Sequence, residues 1–178
     1  MTRLLLLAIV LVQIVCGADA EAKFSVPFVR QQEKGCGAAS VAMISSYWFQ
    51  RYPDLISAPE SPEEIYRDLY LPDASAVRLS DMKRYLLDRG FHAFTLRAAW
   101  ADLEEHISRR RPLIVRLQKK PKGNAHFAVV VGLGPKHVWL NDPTRREPNR
   151  LSRRQFERRW AIAGHWSLLA VPRTAGSR

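Results

Sequence analysis

The chain has 178 residues, 47% of them hydrophobic, and its 28 lysine and arginine residues outnumber its 17 aspartate and glutamate residues, which gives a formal net charge of +11. This length predicts one domain with a core of its own, and the hydrophobic content excludes a disordered chain. Two cysteines are too few for a disulfide scaffold or a cysteine-rich zinc site. The charge predicts an anionic partner or surface.

The N-terminus has the three-part pattern of a secretory signal peptide. Arg3 gives a basic start, residues 4–15 form an apolar run, and small residues up to Ala20 suit cleavage. We therefore expect residues 1–20 to be a signal peptide and residues 21–178 to form one exported domain, either periplasmic or secreted.

Two alternatives to a cleaved signal stay open at this stage. An uncleaved anchor is disfavoured because the apolar run of twelve residues would span only about 18 Å as a helix, against a hydrocarbon core of about 30 Å. The other is lipidation at Cys16, although Val15 is a poor residue to precede it. Removal of the first twenty residues leaves Cys36 as the one cysteine. A lone cysteine in an exported protein either pairs with another molecule or is a free thiol kept for chemistry.

The exported part predicts helices first and strands later. Segment 26–29 is short, apolar and extended. Apolar spacing and capping residues predict helices over 37–48, 61–70, 80–90, 102–110 and 152–160. Alternating or continuous apolar runs predict strands over 91–96, 113–117, 127–133, 138–140 and 165–171. Gly134 and Pro135 predict the turn of a β-hairpin. Helices followed by a mostly antiparallel sheet indicate the α+β class.

Cys36 lies between two glycines at the start of the first predicted helix. Unsatisfied N–H groups and the helix dipole favour an anion there, which lowers the pKa of a thiol. Gly35 and Gly37 would let a substrate backbone come close. The alternative is a small buried hydrophobe, which is what most free cysteines are.

A thiolate nucleophile needs a base that later protonates the leaving group. If the hairpin turns near Gly134 and Pro135, residue 126 lies opposite roughly 142–143, so His126 and Asp142 meet across neighbouring strands. That pair would supply the base and the group that orients it. The alternative is a structural hydrogen bond. The remaining histidines are weaker candidates: His92, His106, His137 and His165.

Two glutamines precede the cysteine closely. Gln31 and Gln32 lie five and four residues before Cys36. A side-chain amide there, together with the backbone N–H of the cysteine, would donate to a developing oxyanion. Taken alone, each glutamine is more readily explained as a surface loop residue.

Four segments together carry a family resemblance. Residues 26–31 and 36–44, VPFVRQ and CGAASVAMI, resemble the catalytic opening of the bacteriocin-processing, double-glycine-leader cysteine peptidases, cysteine peptidase family 39, and their stand-alone relatives. Residues 126–132 and 138–143, HFAVVVG and VWLNDP, resemble the His and Asp segments of that family. The order and separation fit over residues 26–171, although 50–110 match only in helical character.

The resemblance implies a papain-like fold, with a helical half that carries the cysteine and an antiparallel half that carries His and Asp. It implies that Cys36 is the nucleophile, His126 the general base and acid, and Asp142 the orienting group. Gln31, rather than Gln32, takes the family's usual position for the oxyanion donor.

Two departures from the family pattern bear on where this chain acts and on whether it is part of a transporter. Gly35 stands where many leader peptidases have aspartate, and neither a membrane bundle nor a phosphate-binding loop is present in the sequence. We therefore expect an exported, stand-alone peptidase that needs no ATP, rather than an enzyme that removes leaders on the cytoplasmic side.

Basic residues form a second feature. Seven arginines lie between Pro143 and Trp160, and further clusters occupy 109–111 and 119–122. They are either solvated surface or a contact for an anionic membrane, an envelope polymer or an acidic substrate segment. We expect no nucleic acid partner, because no binding motif is present and the chain is exported.

The expected partner is a peptide or protein substrate, and the expected state is a monomer without metal or cofactor, since no metal-binding motif is visible. Two alternative functions compete with that of a peptidase. One is a catalytically silent papain-like module that binds a peptide or an anionic polymer. The other is a related amidase or acyltransferase that forms the same acyl-enzyme.

Overall fold

The computed structural model of the chain describes residues 22–71 and 76–173. The predicted signal peptide over 1–20 and the alternative lipidation site Cys16 lie outside the described residues. Within them no helix is long and apolar enough to cross a membrane.

The described residues form five helices and nine strands in the order expected for the α+β class. The helices are α1 (Cys36–Phe49), α2 (Pro62–Leu69), α3 (Leu79–Asp88), α4 (Trp100–Ser108) and α5 (Arg153–Ile162). The strands are β1 (Ala22–Lys23), β2 (Tyr70–Leu71), β3 (Ala76–Val77), β4 (Phe91–Arg97), β5 (Leu113–Gln118), β6 (Ala125–Leu133), β7 (His137–Asn141), β8 (Asn149–Ser152) and β9 (Trp166–Pro172).

The main sheet is antiparallel, with the strand order β4-β9-β5-β6-β7-β8. Strand β1 pairs with the last two residues of β6. A two-stranded ribbon of β2 and β3 lies apart from the main sheet. Helices α1, α3, α4 and α5 all pack on this sheet, α1 mainly on β6, α3 on β4 and α5 on β5.

Helix α1 is the centre of the core, because nearly all of its residues are buried. Its polar side chains find distant partners: the Tyr47 hydroxyl donates to the carbonyl of Arg110 at 2.6 Å, and the Trp48 indole donates to the carbonyl of Ala170 at 2.9 Å. A helix held this way on all sides gives Cys36, its first residue, a fixed position.

Capping residues account for the helix starts that the sequence predicts. Ser61 and Ser152 each accept the backbone N–H three residues later and complete a capping box. Helix α4 begins two residues earlier than expected, because the Asp102 carboxylate accepts the N–H of Ala99 at 2.6 Å. The last strand begins one residue later than expected, because His165 takes a left-handed backbone, φ 56°, in the preceding turn.

Candidate active site

Cys36 is the first residue of α1, and its thiol is partly exposed at the floor of a cleft. The first N–H groups of a helix have no intrahelical partner, so they point towards whatever occupies that end of the cleft. The next turn is fixed by Ser40, whose hydroxyl donates to the carbonyl of Cys36 at 2.8 Å.

The glycines on each side of the cysteine serve internal packing. A Cβ on Gly35 would lie 2.6 Å from the ring of Tyr66, and a Cβ on Gly37 would lie 2.8 Å from Val77. Both glycines are buried. The sequence-based expectation that they admit a substrate backbone is therefore corrected: they admit neighbouring side chains of the protein itself.

His126 lies on β6, directly opposite Leu117 of β5. Its Nε2 is 2.7 Å from Oδ1 of Asp142, and the Cys36 side chain lies close enough to the ring to favour its charged form. Since Nε2 faces the carboxylate, Nδ1 is the ring nitrogen left for the thiol. The three predicted side chains are thus brought together in the order thiol, imidazole and carboxylate.

The sequence-based register of this pair is wrong by one to two residues. The hairpin loop consists of Pro135 and Lys136, and a bulge interrupts the pairing at Val131. The ladder therefore ends at Val129 opposite Asn141, one residue before the aspartate. Asp142 reaches His126 diagonally, from the point where the chain leaves the strand.

The charges of the pair stabilise each other. Burial opposes the charged form of His126, but hydrogen bonds to Asp142 and Cys36 outweigh it and raise the histidine pKa to about 9. Burial likewise opposes the charged form of Asp142, and the hydrogen bonds from His126 and Thr144 outweigh it and lower the carboxyl pKa to about 2. An imidazolium beside a carboxylate is therefore the state near neutral pH.

Thr144 is a part of the site that the sequence analysis missed. Its hydroxyl and its backbone N–H donate to Oδ1 of Asp142 at 2.7 Å and 3.0 Å, on the same oxygen that contacts His126. The Asp-Pro-Thr sequence is a turn signal in which a side-chain carboxylate accepts the N–H two residues on. That signal could have identified the contact.

Gln31 lines the cleft with Cys36 and His126, whereas Gln32 does not and instead donates to Glu63 at 3.4 Å on the surface. The backbone N–H of Gln31 donates to the carbonyl of Pro143 at 3.0 Å. The side-chain amide oxygen of Gln31 is buried, and it has no hydrogen-bond partner within the part of the chain that the structure describes.

A second link joins the same two segments. The buried Asn141 side chain donates to the carbonyl of Val26 at 3.0 Å. With the bond from Gln31 to Pro143, it ties the extended segment before Cys36 to the end of β7, where Asp142 lies.

The cleft has a volume of about 1080 Å³ and is lined by all four candidate residues as well as by Thr144. None of the other histidines lines it; burial lowers the pKa of His106, and the ring of His165 packs against Trp160. Over 22–71 and 76–173, no three His, Cys, Asp or Glu side chains are grouped so that they could hold a metal ion.

The sequence matches the model of the Peptidase_C39 like family over residues 23–168. No curated protein matches the chain. Its fold is similar to that of a Bacillus anthracis protein assigned as a C39-like peptidase, at 16% identity and a TM-score of 0.66, over 88% of this chain and 100% of that one.

Two further solved structures are similar. One is a double glycine motif protease from an AMS/PCAT transporter in complex with the leader peptide, at 20% identity and a TM-score of 0.64, over 85% of this chain and 95% of that one. The other is the peptidase domain of Streptococcus ComA, a bi-functional ABC transporter in a quorum sensing pathway, at 18% identity and a TM-score of 0.64, over 84% of this chain and 100% of that one. The likeness confirms the papain-like α+β fold.

Proposed function

The chain belongs to the Peptidase_C39 like family, and on that premise we propose that it is an exported cysteine peptidase that uses Cys36, His126, Asp142 and Gln31. The observation that carries the proposal is the 2.7 Å contact of His126 with Asp142 beside the thiol of Cys36. The leader peptide bound by the double glycine motif protease supports a peptide as substrate.

In the first half of the reaction, the thiol proton already resides on His126 as the imidazolium, and the Cys36 sulfur attacks the carbonyl carbon of the scissile peptide bond. Asp142 holds the imidazolium in place and stabilises its charge. The tetrahedral intermediate collapses, the C–N bond breaks, and His126 gives its proton to the leaving amine. A thioester on Cys36 remains.

The oxyanion of the intermediate needs donors that are in place before it forms. We assign this role to the backbone N–H of Cys36, at the start of α1, and to the side-chain amide of Gln31, because both residues line the cleft. The bond from the Gln31 N–H to the Pro143 carbonyl restricts that residue's backbone.

In the second half, His126 takes a proton from water and the resulting hydroxide attacks the thioester carbonyl. The C–S bond then breaks, the acid leaves, and the proton held by His126 stays with the restored Cys36–His126 pair. An amidase would use the same steps on a different amide, and an acyltransferase would replace water with an amine. The masses of the products distinguish these outcomes, because a transferase adds the mass of the amine nucleophile.

The proposal is tested by incubating the purified protein and its Cys36→Ala variant with a mixture of peptides and sequencing the new termini by mass spectrometry. We expect new termini with the wild type, about a thousandfold fewer with Cys36→Ala, and an unchanged melting temperature. Equal cleavage by the variant would exclude Cys36 as the nucleophile.

Export is a separate part of the proposal and has its own test. Mass spectrometry of the protein recovered from the periplasm or medium should give an N-terminus at Glu21. An intact N-terminus in the cytoplasmic fraction would contradict export, and a lipid on Cys16 would identify an anchored form.

A further inference from the structure

The wall of the cleft carries an unusual excess of positive charge. Seven lysine or arginine side chains line it, against one carboxylate, that of Asp142. That carboxylate is already engaged by His126 and Thr144. The positive charges of the cleft are therefore not balanced from within its own wall.

Five basic residues outside the cleft have acidic partners. Ion pairs with carboxylates engage Arg67, Arg84, Arg89, Arg109 and Arg153. Over the part of the chain that the structure describes, none of the seven cleft cations lies within 4.0 Å of a carboxylate. The cleft thus presents its positive charges to whatever enters it.

Two of these cations, Arg116 on β5 and Arg159 on α5, are half-buried. Leu117 faces the same side of the sheet as His126, so the preceding Arg116 faces the other side, and α5, which carries Arg159, packs against β5. The cavity that contains Cys36 continues to these arginines, since both line it. A half-buried guanidinium without a partner carries a desolvation cost that a carboxylate in the cleft would offset.

Other cations belong to segments next to the reacting groups. Lys34 lies two residues before Cys36, and Lys119 and Lys120 follow the strand position that pairs next to His126. Positive charge therefore lies in segments next to both Cys36 and His126.

We propose that the substrate is a polypeptide segment rich in aspartate and glutamate around the cleaved bond, and that Arg116 and Arg159 bind one of its carboxylates. This rests on the proposed function, because it takes the cleft at Cys36 as the place of cleavage. A concave cleft with half-buried arginines fits an extended peptide and not the flat surface of a membrane.

The test uses the Cys36→Ala protein and two fluorescent peptides of equal length, one with glutamates and one with glutamines at the same positions. Fluorescence anisotropy should show that the glutamate peptide binds at least about tenfold more tightly at low ionic strength, and that the difference shrinks as salt is added. Equal affinity for the two peptides would overturn the proposal.

Paired substitutions locate the effect. Arg116→Gln with Arg159→Gln should weaken binding of the glutamate peptide about tenfold, because charge-assisted hydrogen bonds are lost. Arg154→Gln with Arg158→Gln is the matched control, since both residues are exposed on α5 and lie outside the cleft. An equal loss in both pairs would overturn the assignment of the two arginines.

A charge-conserving pair, Arg116→Lys with Arg159→Lys, covers the case in which the glutamine pair fails to fold. It keeps the charge but loses the two-pronged guanidinium, so we expect an affinity below wild type. An unchanged affinity would contradict the role of the guanidinium groups. Tighter binding to phosphatidylglycerol vesicles than to the glutamate peptide, lost in the same arginine variants, would reassign the surface to a membrane and overturn the proposal.

Cleavage by the wild type separates this inference from the proposed function. If both peptides are cut equally, the peptidase proposal stands and the preference for acidic segments fails. If the glutamate peptide binds tightly and selectively but is never cut, the recognition stands and the peptidase proposal fails.

Discussion

Nε2 of His126 lies 2.7 Å from Oδ1 of Asp142 although the two residues are not opposite each other in the β6–β7 ladder, which ends at Val129 and Asn141. The contact is made by the residue that follows the last pair. The geometry of the pair therefore depends on how the chain turns at Pro143 and on what else holds the carboxylate.

Replacement of Asp142 by asparagine removes the charge while keeping the shape. We expect the pKa of His126, now about 9, to fall towards its ordinary value of 6.5, and kcat/KM to fall at least about a hundredfold, because the imidazole loses its orientation and its counter-charge. NMR titration of the His126 ring measures the first effect and peptide cleavage the second. A ring that still titrates near 9 would show that another group sets its charge.

Thr144→Val tests the threonine as a positioning residue. It removes one of the donors to the Asp142 carboxylate, so the pKa of Asp142 should rise from about 2 and kcat should fall about tenfold, with KM nearly unchanged. Thr144→Ser is the matched control, because it keeps the hydroxyl. If serine does not restore kcat, the methyl group and not the hydrogen bond is what matters.

The stability of the protein should depend on pH through His126. Because the pKa of this histidine is raised from 6.5 to about 9, its stabilising contribution is complete below about pH 6.5 and is lost as the pH rises through 9. The free energy of unfolding should fall by about 1–3 kcal/mol over that window in the wild type. The fall should be absent in His126→Ala. Chemical denaturation at several pH values measures both, and parallel curves would contradict the shifted histidine.

Gly37→Ala should destabilise the fold by about 1–3 kcal/mol, because the added Cβ would lie 2.8 Å from Val77. Val77→Gly removes both Val77 atoms at that distance, Cβ and Cγ1, so the double variant should lose less than the sum of the two single variants. Denaturant titration of the four proteins gives the coupling. Strict additivity would show that Val77 is not the obstacle.

Much of the fold follows from short-range signals in the sequence. Ser61 and Ser152 mark the starts of α2 and α5, and the class and order of the longer elements are confirmed. The short strands β1, β2, β3 and β8 were not predicted, because two to four residues without alternation take their conformation from the strands beside them. The bulge at Val131 shifts the register, and its local signal is Gly132, a glycine inside a strand, which the sequence analysis did not use.

The sequence was enough to predict which residues meet at the site. It was not enough to predict which other side chains surround them. Cys36, His126, Asp142 and Gln31 are brought to one cleft, as expected, and their catalytic roles stay a prediction. The approach of Tyr66 to Gly35, and the gathering of cations from segments far apart in sequence, depend on tertiary packing that no single segment encodes.

The burial of α1 has a consequence for the kind of protein this cleft can act on. Since the helix is enclosed along nearly its whole length, the thiol cannot advance to meet a carbonyl group, and the carbonyl must be delivered to the thiol. A polypeptide can do so only where it is locally unfolded enough to thread the cleft as an extended strand. We therefore expect linkers, tails and unstructured precursors to be cut while compact domains are spared. Substrate selectivity would then depend first on the flexibility of the target and only afterwards on its side chains.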